Sequence, residues 1–447
     1  MLVLAALVLR AQSPLTISQA VESALRNYPS IRVSQEQINA AAAGIRLAQT
    51  AYLPRVDSLA QVNRATRNNV FGLLLPQSVI PSMSGPVIGS DNLGTVWGSA
   101  VGGLATWEPF DFGLRRANVD AAAAARAQSE ATLKRTEFDV AAATADAYLT
   151  LAAAQETVRA AQAGVDRAEV ILRSIGALVK AELRPGADQS RAEAELAVAR
   201  TQVARARQAT EVARATVSQF VGIDPAQVAI SSTRLLQPPP EQPVTAFNAS
   251  ANPVVLEQHA AIEQAQAQLR ALERTYFPRF YLQGAAYSRG TGAELNGTRL
   301  GGLNGLAPNL QNYALGFSVN FPVMDFAALH ARQAAQQATI RSQQARAAQI
   351  ATDLRAQWNA AVANLEGARV IAGNTPAEIS AARAALDQAT ARYQSGLGVI
   401  DAVAEAQRLL TQAEIDDSLA RLGIWRALLG IATAAGDVRP FLAEVGQ

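Results

Sequence analysis

The heptapeptides AYLPRVD (Ala51–Asp57) and TYFPRFY (Thr275–Tyr281) put the same Tyr-x-Pro-Arg unit into one chain twice, 224 residues apart. Self-similarity at a fixed distance constrains architecture before any single residue does, because each copy specifies the same supersecondary unit. The offset of 224 also carries Asn27-Tyr28-Pro29 onto Ala251-Asn252-Pro253. Beyond the Pro-Arg pairs it slips to 214, aligning Asp111-Phe112 with Asp325-Phe326 and Leu183 with Leu397. Between the copies lies the proline-rich QPPPEQP, Gln237–Pro243. The chain reads as a tandem duplication: a first repeat over 15–222, a linker over 223–250, a second repeat over 251–435 and a tail over 436–447.

Within each repeat the longest stretches read as helix, from about Leu114 to Val179 and from about Ala328 to Tyr393. At about 1.5 Å per residue each would be a rod of roughly 100 Å, far beyond what a globular core uses. Leu151, Val158, Val165 and Leu172 recur every seven residues, with Ala147, Ala154, Ala161 and Ala168 in the alternate slot. In the second repeat Ile340, Ala347, Leu354 and Ala361 alternate with Ala351, Trp358 and Leu365. This is coiled-coil spacing with alanine at one seam position, which lets helices approach closely enough to stand side by side as a wall. An ordinary antiparallel bundle would satisfy the same pattern.

Between the Pro-Arg and Asp-Phe junctions the period changes to two. NYALGFSVNF, Asn312–Phe321, sets Tyr313, Leu315, Phe317, Val319 and Phe321 on one face and the small or polar Ala314, Gly316, Ser318 and Asn320 on the other. That alternation predicts a strand with an apolar exterior and a wet interior. Val96–Trp107 is a weaker copy, and partner strands follow each Pro-Arg, giving strands at about 55–67, 96–108, 279–290 and 311–322. Four strands cannot close a barrel, which needs about eight, and an open edge is untenable in lipid, so closure requires several chains. A soluble sheet capping the helices is the rival reading.

Composition excludes more than it selects. The 39 basic and 37 acidic residues nearly cancel, which gives no support to a nucleic-acid partner. There is no cysteine, hence no disulfide, thiolate metal site or lipid-bearing cysteine in this sequence. His259 and His330 lack metal-ligand spacing, and no cofactor motif or catalytic set is present. The apolar run Met1–Leu9 reads as the core of a clipped signal peptide, residues 1–11.

Taken in order, the LPRV and FPRF junctions, PFDFGLRRANVDAAAA (109–124) and ARYQSGLGVIDAVAEAQRLLTQAE (Ala391–Glu414) resemble the TolC-like family of outer-membrane efflux and secretion channels. The resemblance spans Leu15 to about Gly436. It implies an α+β membrane protein in which three chains share a twelve-stranded β-barrel, four strands each, continuous with a periplasmic α-helical barrel of coiled-coil hairpins. It also implies a passive exit duct working with a periplasmic adaptor and an inner-membrane pump, in tripartite efflux or type I secretion. The alternative is a structural periplasmic coiled-coil protein without a pore.

The resemblance further implies a periplasmic gate at the helical tips, with Asp401 matching a family aspartate that forms a constricting ring. The family's second aspartate is replaced by Ala404, with Glu405 beside it, and its latching arginine has no counterpart because Leu397 and Gly398 occupy that place. Tyr393 and, at the first-repeat tip, Asp188 complete the candidates. Asp401 reads equally as a helix-start carboxylate stabilising the positive helix end, and the two roles are compatible. Gly396, Gly398 and Gly186 read as residues that permit tight turns.

Overall fold

The computed structural model describes residues 14–66, 94–240, 246–294 and 298–446. The candidate signal peptide, most of the first hairpin loop and part of the proline-rich linker lie outside the described residues. The first repeat comprises α1 (Ile17–Asn27), α2 (Pro29–Thr50), β1 (Arg55–Thr66), β2 (Thr95–Phe110), α3 (Leu114–Lys180) and α4 (Gly186–Val221). The second comprises α5 (Pro253–Arg274), β3 (Arg279–Thr291), β4 (Leu310–Asn320), α6 (Phe326–Gln394) and α7 (Ile400–Ala435), followed by α8 (Arg439–Val445). The order of elements is the same in both repeats except for α1, whose place in the second is taken by the proline-containing linker.

The chain forms two compact units, one made of residues through Ile38, Gln128–Ala261 and Gln343 onward, the other of Asn39–Ala127 and Ile262–Ser342. The first unit is helical. Its largest core gathers Tyr148, Leu149 and Leu151 of α3, Val217 of α4, Trp425 and Leu429 of α7, and Phe441 of α8. The residues past Gly436, read from sequence as a tail, thus fold back as a helix whose apolar Phe441 and Val445 are buried. The segment after α4 is likewise ordered: Tyr148 places its hydroxyl 2.8 Å from the carbonyls of Leu15 and Ser231, and the Trp425 indole donates to the Gln237 carbonyl.

The heptad seam is visible in burial. Leu151, Ala161, Val165 and Ala168 are buried in the first repeat, and Ile340, Leu354, Trp358, Ala361 and Leu365 in the second, whereas Ala351 stays exposed. Pro376 lies inside α6, so the expectation of a uniform rod passes over one helix breaker. Beside it, the Thr375 hydroxyl donates to Asp417 of α7 at 2.7 Å.

The second unit contains one sheet of order β1-β2-β3-β4, antiparallel throughout. Its register sorts the residues by face. Val56, Ala105, Gly284 and Leu315 fall in one row, and Phe110, Phe280 and Val319 in another, all on the same side. The opposite side carries Asp57, Gln61, Gln283, Arg289, Asn312 and Ser318. One face is therefore the more apolar and the other the more polar, the pattern of a wall between lipid and water. Tyr313 and Leu315 are 88% and 80% exposed, too much apolar surface on a β4 edge for a finished sheet in water. Phe321 falls one residue beyond β4 and packs its ring edge-on against Tyr276.

At the strand-to-helix junction a buried clasp holds the unit's turns. Arg115 donates from Nε to Asp111 Oδ2 at 2.9 Å, reaches the carbonyls of Ala51 and Pro109, and stacks over the Tyr52 ring. One guanidinium thereby ties the α2–β1 turn to the β2–α3 turn in the first repeat; the equivalent position in the second is Leu329.

Candidate functional site

Two helical hairpins of the first unit, α3–α4 and α6–α7, end in turns of the same construction. Leu397 N–H donates to the Arg392 carbonyl, and Leu183 N–H donates to the Leu178 carbonyl, the positions related by the offset of 214. The left-handed residue of the second turn is Gly396, φ +85°; its counterpart in the first is Glu182, φ +58°. Gly398 and Gly186 do not adopt positive φ, so of the three glycines assigned to turns only Gly396 has that need.

These turns bring the sequence candidates together. Tyr393, buried in the last turn of α6, donates its hydroxyl to Asp188 Oδ2 at 2.7 Å. Burial pushes the Tyr393 hydroxyl up and its bond to the Asp188 carboxylate adds to this, to about 12. The Arg184 guanidinium stacks 4.3 Å above the Tyr393 ring and donates to the Tyr393 carbonyl. Asp401, in the first turn of α7, is 72% exposed and pairs with Arg191 of α4, Nε to Oδ1 at 3.3 Å. Glu405, one turn on, pairs with Arg408 of its own helix at 2.8 Å.

Both helix starts lack a side-chain cap, at Pro185 and at Val399, so Asp188 and Asp401 also sit where a carboxylate stabilises the positive helix end. The arginines escaped the sequence reading, which sought a latch beside Gly396 in the second repeat. They come from the first: Arg184 is the repeat equivalent of Gly398, and Arg191 stands three residues after Asp188, on the same helix face. The tips also expose Leu183, Leu397 and Val399. Among the described residues no group of His, Asp and Glu side chains could hold a metal ion.

The profile of outer membrane efflux proteins matches residues 20–223 and 249–437, most of the chain and both repeats. The chain belongs to the outer membrane efflux protein family.

The same fold recurs in solved structures. The outer-membrane channel OprN superposes with a TM-score of 0.73 at 19% identity, covering 94% of this chain and 89% of that one. The CmeC outer membrane channel of Campylobacter jejuni gives 0.74 at 15% identity, over 94% and 85% of the two chains. The outer membrane protein VceC of Vibrio cholerae gives 0.71 at 16%, over 94% and 96%. No curated protein sequence matches the chain significantly. As a member of this family the protein is an outer-membrane efflux duct, a passive channel rather than an enzyme. No helix among the described residues is long and apolar enough to cross a membrane.

Proposed function

We propose that three copies of this efflux protein close one β-barrel of twelve strands and act as the exit duct of a tripartite efflux or type I secretion system. The observation that carries the reading is the sheet itself: an apolar face, a polar face and two unpaired edges, β1 and β4. In lipid every backbone group must be paired, and four strands fall well short of the roughly eight that the smallest barrel needs. Symmetric copies joined β1 to β4 remove all edges.

In this reading the hairpin tips are the periplasmic gate. Asp401 and Glu405 supply carboxylates to a constriction, and rings of carboxylates favour cations and repel anions. Arg191 and the Tyr393–Asp188 bond hold each tip in its closed position. The exposed Leu183, Leu397 and Val399 offer the periplasmic adaptor an apolar foothold, and an inner-membrane pump supplies energy and selects the cargo.

The absence of cysteine makes the test clean. The detergent-solubilised protein is expected to have three times the 47.0 kDa chain mass by light scattering, and Asp401→Cys to form disulfides between copies under oxidation. A monomeric mass, with no disulfide between copies, would overturn the shared barrel and gate.

A further inference from the structure

The helices join the sheet at Arg55, Phe110, Arg279 and Asn320, so the β1–β2 and β3–β4 hairpin loops lie at its other end, the outward one for a periplasmic helical domain. At that end a cavity of about 510 Å³ opens between the β1–β2 strand ends and the β3–β4 loop, and two arginines, Arg64 and Arg299, line it. Arg64 and Trp97 are cross-strand partners on the apolar face, in line with the rows that hold Val62 and Val101. The Arg64 guanidinium lies 5.3 Å from the Trp97 ring centre, and its Nε donates to Thr95 Oγ1 at 3.1 Å. Among the described residues neither Arg64 nor Arg299 forms an ion pair, and no carboxylate lines the cavity. The wall is completed by backbone at Gly301 and Gly302 and by Asn304, and Leu300 and Leu303 are exposed on the same loop.

A cation on the lipid-facing side of a strand is tolerated only near the interface, where it meets headgroups. Arg64, held beside the indole, and Arg299 of the adjoining loop pair with no carboxylate among the described residues, and two such guanidinium groups match a phosphate with oxygens spaced for forked donation. Exposed leucines at the rim suit the acyl chains of the same molecule. We infer that this cavity binds the phosphate of an outer-leaflet lipid headgroup, with Arg64 and Arg299 as its ligands and Trp97 as the platform that orients Arg64.

The test is native mass spectrometry of the purified full-length protein in detergent, titrated with bis-phosphorylated lipid A, with its dephosphorylated form, and with inorganic phosphate. The phosphorylated lipid is expected to be retained in preference to the dephosphorylated one, and its binding to weaken roughly tenfold or more in R64Q/R299Q, since charge-assisted forked bonds are lost. Equal retention of both lipids by the wild type overturns the proposal without recourse to a variant, as does undiminished binding by an assembled double variant. Displacement of the lipid by inorganic phosphate at comparable concentration would make this a free-anion site and defeat the lipid assignment.

Discussion

The Tyr393 hydroxyl at the end of α6 lies 2.7 Å from the Asp188 carboxylate at the start of α4, so the tips of the two repeats are bonded to one another. A hydrogen bond to a charged acceptor contributes about 1.5–3 kcal/mol, enough to bias a tip between two positions without deciding the fold. Tyr393→Phe keeps the ring and removes the donor. The variant is expected to fold with an unchanged helical circular-dichroism spectrum, and its hairpin tips to become more sensitive to limited proteolysis. Unchanged cleavage at the tips would remove the bond from the account of closure.

The same bond has a pH signature. Tyrosine titrates near 10 in an unfolded chain, and Tyr393 is raised to about 12. Its contribution is therefore fully present below pH 10 and is lost as pH rises through about 12. Ultraviolet titration of wild type minus Tyr393→Phe should show one tyrosinate appearing near 12. A difference curve centred at 10 would contradict the buried, bonded hydroxyl.

Neighbouring residues of β4 should respond to the same substitution by very different amounts. Leu315, aligned with Gly284 and Ala105, lies on the apolar face; Ala314, aligned with Ala285 and Leu104, lies on the other. Leu315→Arg is expected to cost about 2–4 kcal/mol if the residue sits near the bilayer midplane, and Ala314→Arg, facing water, much less. Urea unfolding of both variants in lipid vesicles measures the difference, and equal destabilisation would deny the assignment of faces.

The repeat, the rods and the period-two strands were legible because each is a pattern over many residues: a side chain every seven positions or every two reports its face whatever its partner. Contacts between repeats were not. Arg191 meets Asp401 across two helices separated by more than two hundred residues, and no local spacing marks that pair. Glu182 adopts the left-handed turn that Gly396 led one to expect only of glycine. The C-terminal helix was hidden for a simpler reason: α8 is so short that Phe441 and Val445 make no periodic stripe, and only their packing with Trp425 defines it.

The junction clasp is the structural element most exposed to mutation. Asp111 and Arg115 are both about nine-tenths buried, and removing one partner strands the other charge. Asp111→Ala is expected to cost about 3–5 kcal/mol, whereas the exposed Arg191–Asp401 pair contributes about 0–1 kcal/mol and its loss should leave stability unchanged. Denaturant titration of Asp111→Ala beside Arg191→Ala checks the contrast, and similar midpoints would refute it.

The central claim is a pore through a shared barrel with a carboxylate constriction at the tips. Single-channel conductance in planar bilayers, wild type beside Asp401→Ala and Arg191→Ala, tests it most directly. The account predicts discrete channels, with higher conductance in both variants because each loses the Arg191–Asp401 tie, and weaker cation preference in Asp401→Ala alone. A folded protein that inserts no channels would contradict it.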